Sequence, residues 1–428
     1  MKKIAVIGQG YVGLPLAIAF SEHYPVVGFD TSNMRVDELN AGFDRTREID
    51  NEKLEKSIFL AKDTGFQKGY LATSEVEIIA NAQIYIVTVP TPIDRYNAPD
   101  LTSLLEASKM LGQIIKQGDI IIYESTVYPG CTEEDCVPVL EHYSGLRFNK
   151  DFFVGYSPER IVPGDKVNTL KTITKVTSGS TSEIAEEVDQ LYKTIITAGT
   201  FKAASIKVAE ASKAIENAQR DVNISFVNEL ALIFDRLGID TNDVLEAAGT
   251  KFNFLKYRPG LVGGHCISVD PYYLAHKAVQ LGYHPNVILS GRRVNDSIAE
   301  FIASKVVKLM IAKDIQIKGA KTLILGIAFK ENCPDVRNSK VVDVYRNLKE
   351  YGLEVDIYDP LVDIFSVKKE YKVECLSAFP SQQEYDAIIV AVAHKEFANF
   401  NIATLKREKC VIFDLKATLD RNIVDARL

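Results

Sequence analysis

Short apolar runs recur through the first 200 residues, each followed by a stretch of helical periodicity. The runs are Ile4–Ile7, Val26–Asp30, Ile84–Pro90, Asp119–Thr126, Phe152–Tyr156 and Thr194–Ala198. This alternation predicts βαβ units on a parallel sheet. Runs without a polar position, such as Ile84-Tyr85-Ile86-Val87, suit strands covered on both faces. At Ser205 the pattern changes. Helical periodicity then continues to Leu237 without Gly or Pro and stops at Gly238, a C′ glycine with Arg236 in the last turn. A helix of that length spans about 50 Å at 1.5 Å per residue. It reads as a spine between domains and as a candidate dimer interface. The strand logic returns at Thr322–Phe329, Glu354–Asp359, Ala387–Val392 and Val411–Leu415.

The predicted fold is therefore α/β: two Rossmann-like open parallel-sheet domains joined by a long central helix and a helical middle domain. The expected boundaries are 1–200, 201–305 and 306–428, with the default ligand site in a cleft between the end domains. The net charge of −7 argues against nucleic acid as the main partner. No apolar run approaches the ~20 residues of a membrane span, and Met1-Lys2-Lys3 runs straight into a strand pattern without a signal peptide. Six cysteines, at 131, 136, 266, 333, 375 and 410, are sparse enough for a reducing cytoplasm. Cys131 and Cys136 have no second pair at zinc spacing, and no metal is expected.

Gly8-Gln9-Gly10-Tyr11-Val12-Gly13 follows the first strand and opens a helix. Its glycines allow a tight turn, close approach of backbone to a pyrophosphate and close helix packing, with the helix N-terminus toward the phosphates. Asp30 ends the second strand about 20 residues on, where a carboxylate accepts from ribose hydroxyls and favours NAD. Arg35 leaves NADP open, because an arginine can hold a 2′-phosphate.

Further chemistry lies on the spine and at strand ends. Glu210, Lys213 and Asn217 share one helix face. A solvated charged face is the ordinary reading of such a trio. The largely apolar helix around it favours an inward position, where Lys213 and Asn217 would stabilise an oxyanion. Glu159 stands beyond a strand end in Ser157-Pro158-Glu159-Arg160, and Glu124-Ser125-Thr126 ends another. Cys266 lies in Gly263-Gly264-His265-Cys266 with Asp270 four residues on. A lone cysteine is most often buried and structural. The glycine pair and the following carboxylate favour a nucleophile that captures an aldehyde after a first oxidation.

Taken together, Gly8–Gly13, Val89-Pro90-Thr91-Pro92, Glu124-Ser125-Thr126, Ser157-Pro158-Glu159, Lys213 with Asn217, Gly263-Gly264-His265-Cys266, and Gly326-Ile327-Ala328-Phe329-Lys330 with Arg337 resemble the UDP-glucose/GDP-mannose dehydrogenase family over essentially the whole length. The resemblance implies NAD-dependent four-electron oxidation of a nucleotide sugar at C6. It implies Cys266 as nucleophile, Lys213 and Asn217 at the oxyanion and the catalytic water, and Glu159 and Asp270 as acid/base and water-activating carboxylates. Thr126 would stand near that water and the cofactor. Pro90, Thr91 and Arg337 would contact the cofactor. Lys330, Gly263, Arg160 and Arg258 would contact the substrate, Arg258 in this reading across a dimer.

The segment Tyr257-Arg258-Pro259-Gly260 and the Val269 before Asp270 depart from the UDP-glucose enzymes, and the runs Gly264–Leu274 and Asn332–Ser339 resemble the branch that oxidises UDP-N-acetylhexosamines. UDP-N-acetyl-D-glucosamine is the expected substrate, UDP-N-acetyl-D-galactosamine the alternative, and a capsule or O-antigen polysaccharide the destination. A two-electron dehydrogenase without a nucleophile is the rival chemistry. A cytoplasmic homodimer joined through the central helix is the expected assembly.

Overall fold

The computed structural model describes residues 2–94, 96–160, 169–264 and 267–428. The chain divides into one unit of Met1–Glu216 with Tyr272–Tyr283 and another of Asn217–Pro271 with His284–Leu428.

In the first unit the strands are β1 Ile4–Ile7, β2 Pro25–Phe29, β3 Gly69–Thr73, β4 Ile84–Val87, β5 Ile120–Tyr123, β6 Phe153–Tyr156, β7 Lys175–Gly179 and β8 Thr200–Lys202. They form one sheet in the order β3-β2-β1-β4-β5-β6-β7-β8. Every β4 residue is buried, as expected of a strand with both faces covered. The order reverses between β1 and β4, so the crevice beyond their carboxyl ends is the natural ligand position. β7 runs antiparallel to β6, which makes the sheet mostly rather than wholly parallel.

In the second unit β9 Lys321–Leu325, β10 Glu354–Tyr358, β11 Tyr385–Val390, β12 Lys406–Asp414 and β13 Ala426–Arg427 form a parallel sheet in the order β10-β9-β11-β12-β13. Its switch point lies between β9 and β11. There Gly326 has φ +91°, and a Cβ on it would come within 2.5 Å of Val392. The turn after β9 thus repeats the glycine corner after β1.

The central helix runs from Ile206 to Leu237, 32 residues. The Ser205 hydroxyl accepts from the Val208 amide at its start, and Gly238 at φ +69° ends it. Among the described residues no helix is long and apolar enough to cross a membrane.

The expected strand at Thr194–Ala198 is not one. The helix Ser182–Lys193 ends there, and Ile195 and Ile196 bury into the core from the following turn. An apolar pair closing a helix looks like a strand in one dimension. The edge strand β8 comes after it. Expected runs that extended to Pro90 and Thr126 stop at Val87 and Tyr123, since the chain leaves the ladder at the sheet's carboxyl edge.

A buried ion pair fastens this edge. Lys175, opening β7, donates to the Glu124 carboxylate after β5 at 2.7 Å and lies 3.6 Å from Glu159. Tyr192 donates to the other Glu124 oxygen. Burial opposes the Lys175 charge, but Glu124 and Glu159 overcome it and raise its pKa. Burial also lifts Glu124 to about 7, against the pull of Lys175 and with help from Glu159. A carboxyl with a raised folded pKa stabilises fully below its unfolded value, and that contribution is lost as pH rises through the folded value. Thermal melts of wild type and Glu124→Gln should therefore converge in one direction. The wild type loses Tm relative to the variant between about pH 4.5 and 7, and the difference is flat above. A difference independent of pH through that window would contradict the assignment.

Candidate active site

The nucleotide motif is built by close backbone packing in the first unit. Gly8 has φ +94°, and its amide donates to the Phe29 carbonyl at 2.8 Å. A Cβ on Gly13 would lie 1.8 Å from the Gly8 carbonyl oxygen and 2.5 Å from the Thr88 hydroxyl, whereas one on Gly10 would meet nothing within 4 Å. Gly13 is thus required by packing, and the Gly10 backbone is left open. The helix Gly13–Ser21 begins there with no side-chain cap and no acid in its first turn, so its N-terminal amides suit an anion. Asp30 accepts from the Gln9 and Ser32 amides, both at 2.9 Å, which aims its carboxylate at this edge. Tyr11 is 37% exposed beside it. An open backbone, an uncapped helix start and a fixed carboxylate fit an adenine dinucleotide.

Arg35 is buried. Its Nε donates to the Gln9 carbonyl at 2.9 Å and its Nη2 to Asp44 at 2.7 Å. Burial disfavours the Asp44 carboxylate, but donors from Thr46, Arg35 and backbone amides hold its pKa below the usual range. The structure places Arg35 as a brace under the Gly8–Gly10 turn.

The loops after β4 and β5 are tied together. Thr91 donates to the Thr126 carbonyl at 2.7 Å, Ser125 to the Val89 carbonyl at 2.6 Å, and Tyr273 to the Thr91 carbonyl at 2.8 Å. Pro90 lies within this knot. Beyond β6, the Glu159 carboxylate receives the Arg160 amide at 2.5 Å. The Arg160 guanidinium pairs with Glu216 at 2.6 Å and reaches the Thr174 carbonyl. Lys213 is buried on the central helix. Glu210, one turn earlier, accepts from the Gly130 and Thr132 amides at 2.5 and 2.9 Å. Burial raises Glu210 to about 7.

In the second unit the Asn217 amide donates to Asp270 at 2.6 Å, and both residues are buried. These two candidates, 53 residues apart in sequence, are brought into direct contact. Gly264, at φ +86°, abuts the Phe329 ring, and a Cβ on Gly263 would lie 2.4 Å from the Asn338 carbonyl. Lys330 follows Phe329, with its ammonium 5.5 Å from that ring centre. Arg337 is paired with Asp335 through both carboxylate oxygens. Arg258 donates to Asn242 at 2.6 Å and borders a cavity of about 320 Å³ with Leu245, Phe254 and Tyr257. Cys266, the expected nucleophile, and His265 lie outside the described residues.

Three groups were not singled out in the sequence. Lys175 carried no signal of its own, standing in the mixed polar and apolar run Lys175-Val176-Thr177-Ser178-Gly179. Asn228 carried none: its amide grips both the Gly260 carbonyl and the Gly260 N–H, at 3.0 and 2.8 Å. Asn338 stands within the Asn332–Ser339 segment, but its role there shows only through contacts remote in sequence.

Residues 2–196 match the UDP-glucose/GDP-mannose dehydrogenase family NAD binding domain, 207–297 its central domain and 323–421 its UDP binding domain. A UDP-N-acetyl-D-glucosamine 6-dehydrogenase of Pseudomonas aeruginosa is 56% identical over 100% of this chain and 99% of its own, and one of Salmonella typhi is 53% identical over 100% and 98%. The solved UDP-D-ManNAc dehydrogenase of Pyrococcus horikoshii superposes with a TM-score of 0.87 at 29% identity, over 99% of this chain and 98% of that one. With an NAD-binding domain at its head and full-length relatives above half identity, the chain belongs to the UDP-glucose/GDP-mannose dehydrogenase family of NAD-dependent nucleotide-sugar dehydrogenases.

Proposed function

We propose that this protein oxidises UDP-N-acetyl-D-glucosamine at C6 to the uronic acid in two oxidations, the second on a cysteine. The observation that carries the sugar is the pair of relatives, 56% and 53% identical end to end, that bear that activity in their names. The buried Asn217–Asp270 contact, one helical turn from buried Lys213, supports the chemistry.

NAD bound in the first unit would supply the hydride acceptor for each oxidation. Glu159 or Asp270, directly or through water, takes the proton of the C6 hydroxyl as the first aldehyde forms. The Cys266 thiolate adds to the aldehyde carbon and gives a thiohemiacetal. Lys213 and the Asn217 amide hold the oxygen that gains charge. Loss of a second hydride leaves a thioester. Water, positioned by Asp270 and Thr126, attacks the acyl carbon, expelling the thiolate and releasing the carboxylate. One alcohol and one water yield one carboxylate, two hydrides and three protons. Asp30, Gly10 and the start of the helix Gly13–Ser21 would hold the cofactor's ribose and pyrophosphate. Arg337, Arg160, Arg258, Gly263 and Lys330 serve cofactor and substrate as the family resemblance implies.

We also propose a cytoplasmic homodimer through the central helix, with a product that supplies a surface polysaccharide. Phe226, Ile233 and Leu237 on that helix are 55%, 44% and 65% exposed. Their spacing of seven and four places them on one apolar stripe.

An endpoint assay with limiting UDP-sugar tests the stoichiometry. Two NADH per UDP-N-acetylglucosamine and a mass-verified uronate are expected, with the galactosamine epimer slower. One NADH and an aldehyde would contradict the covalent route. Cys266→Ser should lower uronate formation by about 10³-fold or more, and wild-type yield from it would remove the nucleophile. Lys213→Ala should lower kcat by roughly 10²-fold with little change in NAD affinity; unchanged turnover would assign Lys213 to structure alone.

A further inference from the structure

Asn338 sits in a short loop of the second unit and bonds to Gly264 and Ser268, on either side of Cys266 in sequence. Its Nδ2 carries two hydrogens, and both are used. One goes to the Gly264 carbonyl at 2.9 Å, the other to the Ser268 hydroxyl at 2.8 Å. Ser268 in turn donates to the same Gly264 carbonyl at 2.8 Å. The Asn338 carbonyl accepts the Gly264 N–H at 3.0 Å. Gly264 and Ser268, which flank His265 and Cys266 in sequence, are thus held by one residue.

The fit leaves little slack. A Cβ on Gly263 would strike the Asn338 carbonyl at 2.4 Å, and one on Gly264 would strike the Phe329 ring at 2.8 Å. Asn338 itself is left-handed, φ +52°, a conformation that asparagine tolerates better than most side chains. The loop that carries it is anchored from behind. Tyr371 donates to the Val336 carbonyl at 2.5 Å and accepts the Ser339 amide at 2.7 Å. The positive φ and the doubly donating amide are both needed at one position. Gly supplies only the first, and Asp replaces the donor with a carboxylate facing the Gly264 carbonyl.

We propose that Asn338 is a positioning residue for the nucleophile: it sets the separation of Gly264 and Ser268, and through them the place of the Cys266 thiol. The inference rests on the covalent reading above and adds a residue to it. Misplacing a reacting group by about 1 Å costs on the order of 10²-fold in rate, and a clamp of this kind acts on that distance rather than on substrate affinity.

Asn338→Gly keeps the left-handed backbone and the bond to the Gly264 N–H and removes only the side-chain clamp. Asn338→Asp keeps the shape and loses the donors. Ser268→Ala removes one arm. Two readouts are taken on each full-length variant at matched folded fraction: steady-state kinetics, and the carboxamidomethylation rate of the Cys266 peptide by mass spectrometry. For Asn338→Gly and Asn338→Asp the expectation is a kcat lowered by about 30- to 100-fold, a KM for the nucleotide sugar within about threefold, and a Cys266 alkylation rate changed by about fivefold or more. Ser268→Ala should fall between these and wild type. Alkylation of Cys266 within twofold of wild type in both Asn338 variants would overturn the clamp, whatever the kinetics. Altered alkylation with undiminished uronate formation would leave the clamp standing and remove the cysteine from the reaction.

Discussion

A polar side chain withdrawn from water must find a partner, at a cost of roughly 1–3 kcal/mol if it does not, and the central helix carries a line of such side chains. Glu210, Lys213, Asn217, Asp221, Ser225 and Asn228 are all buried, at spacings of three and four that place them on one stripe. The partners shown for them are mostly loops. Glu210 takes the backbone amides of the Gly130–Thr132 turn, Asn217 takes Asp270, and Asn228 takes the Gly260 backbone. Asp221 takes Arg292 and Asn295 of a neighbouring helix at 2.6 and 2.8 Å. Burial pushes the Asp221 carboxyl up, against the pull of Arg292 and the bonds from Arg292 and Asn295. The helix is a rack on which loops from distant parts of the sequence are hung by hydrogen bonds.

The same constraint governs the sheet edge of the first unit. Lys175 could not be buried at the head of β7 without Glu124 and Glu159, and burial, with Glu159 adding to it, leaves Glu124 reluctant to ionise. The edge where the nucleotide motif, the Thr91–Thr126 tie and Glu159 gather is therefore stiffened by charge as well as by strand pairing. Close backbone contacts do the rest. Gly13 against Gly8, and Gly326 against Val392, make equivalent corners at the switch points of the two sheets.

Local signals were readable in one dimension. The strand Ile4–Ile7, the glycine turn, Asp30 and the unbroken helix to Gly238 depend on neighbours a few residues away, and the pattern of apolar positions carries them. What depended on distant partners was not readable. β7 is recognised as a strand through its pairing with β6 and β8, one antiparallel and one parallel. Ile195 and Ile196 looked like a strand because burial alone does not say what backbone carries it. Asn217 and Asp270 each stood out, yet nothing in the sequence says that they touch. Glu124 and Lys175, 51 residues apart, and Asn338 with Gly264, 74 apart, acquire meaning only in three dimensions.

The claim that buried amides on the central helix hold the loops of the site is tested most directly at Gly260, whose N–H is bonded to Asn228. Hydrogen–deuterium exchange on wild type and Asn228→Leu, resolved to the segment 257–264, is the measurement. The account predicts faster exchange at Gly260 and its neighbours in the variant, with the Gly130–Thr132 turn held by Glu210 unchanged. Equal exchange at Gly260 in the two proteins, or acceleration spread evenly along the chain, would contradict it.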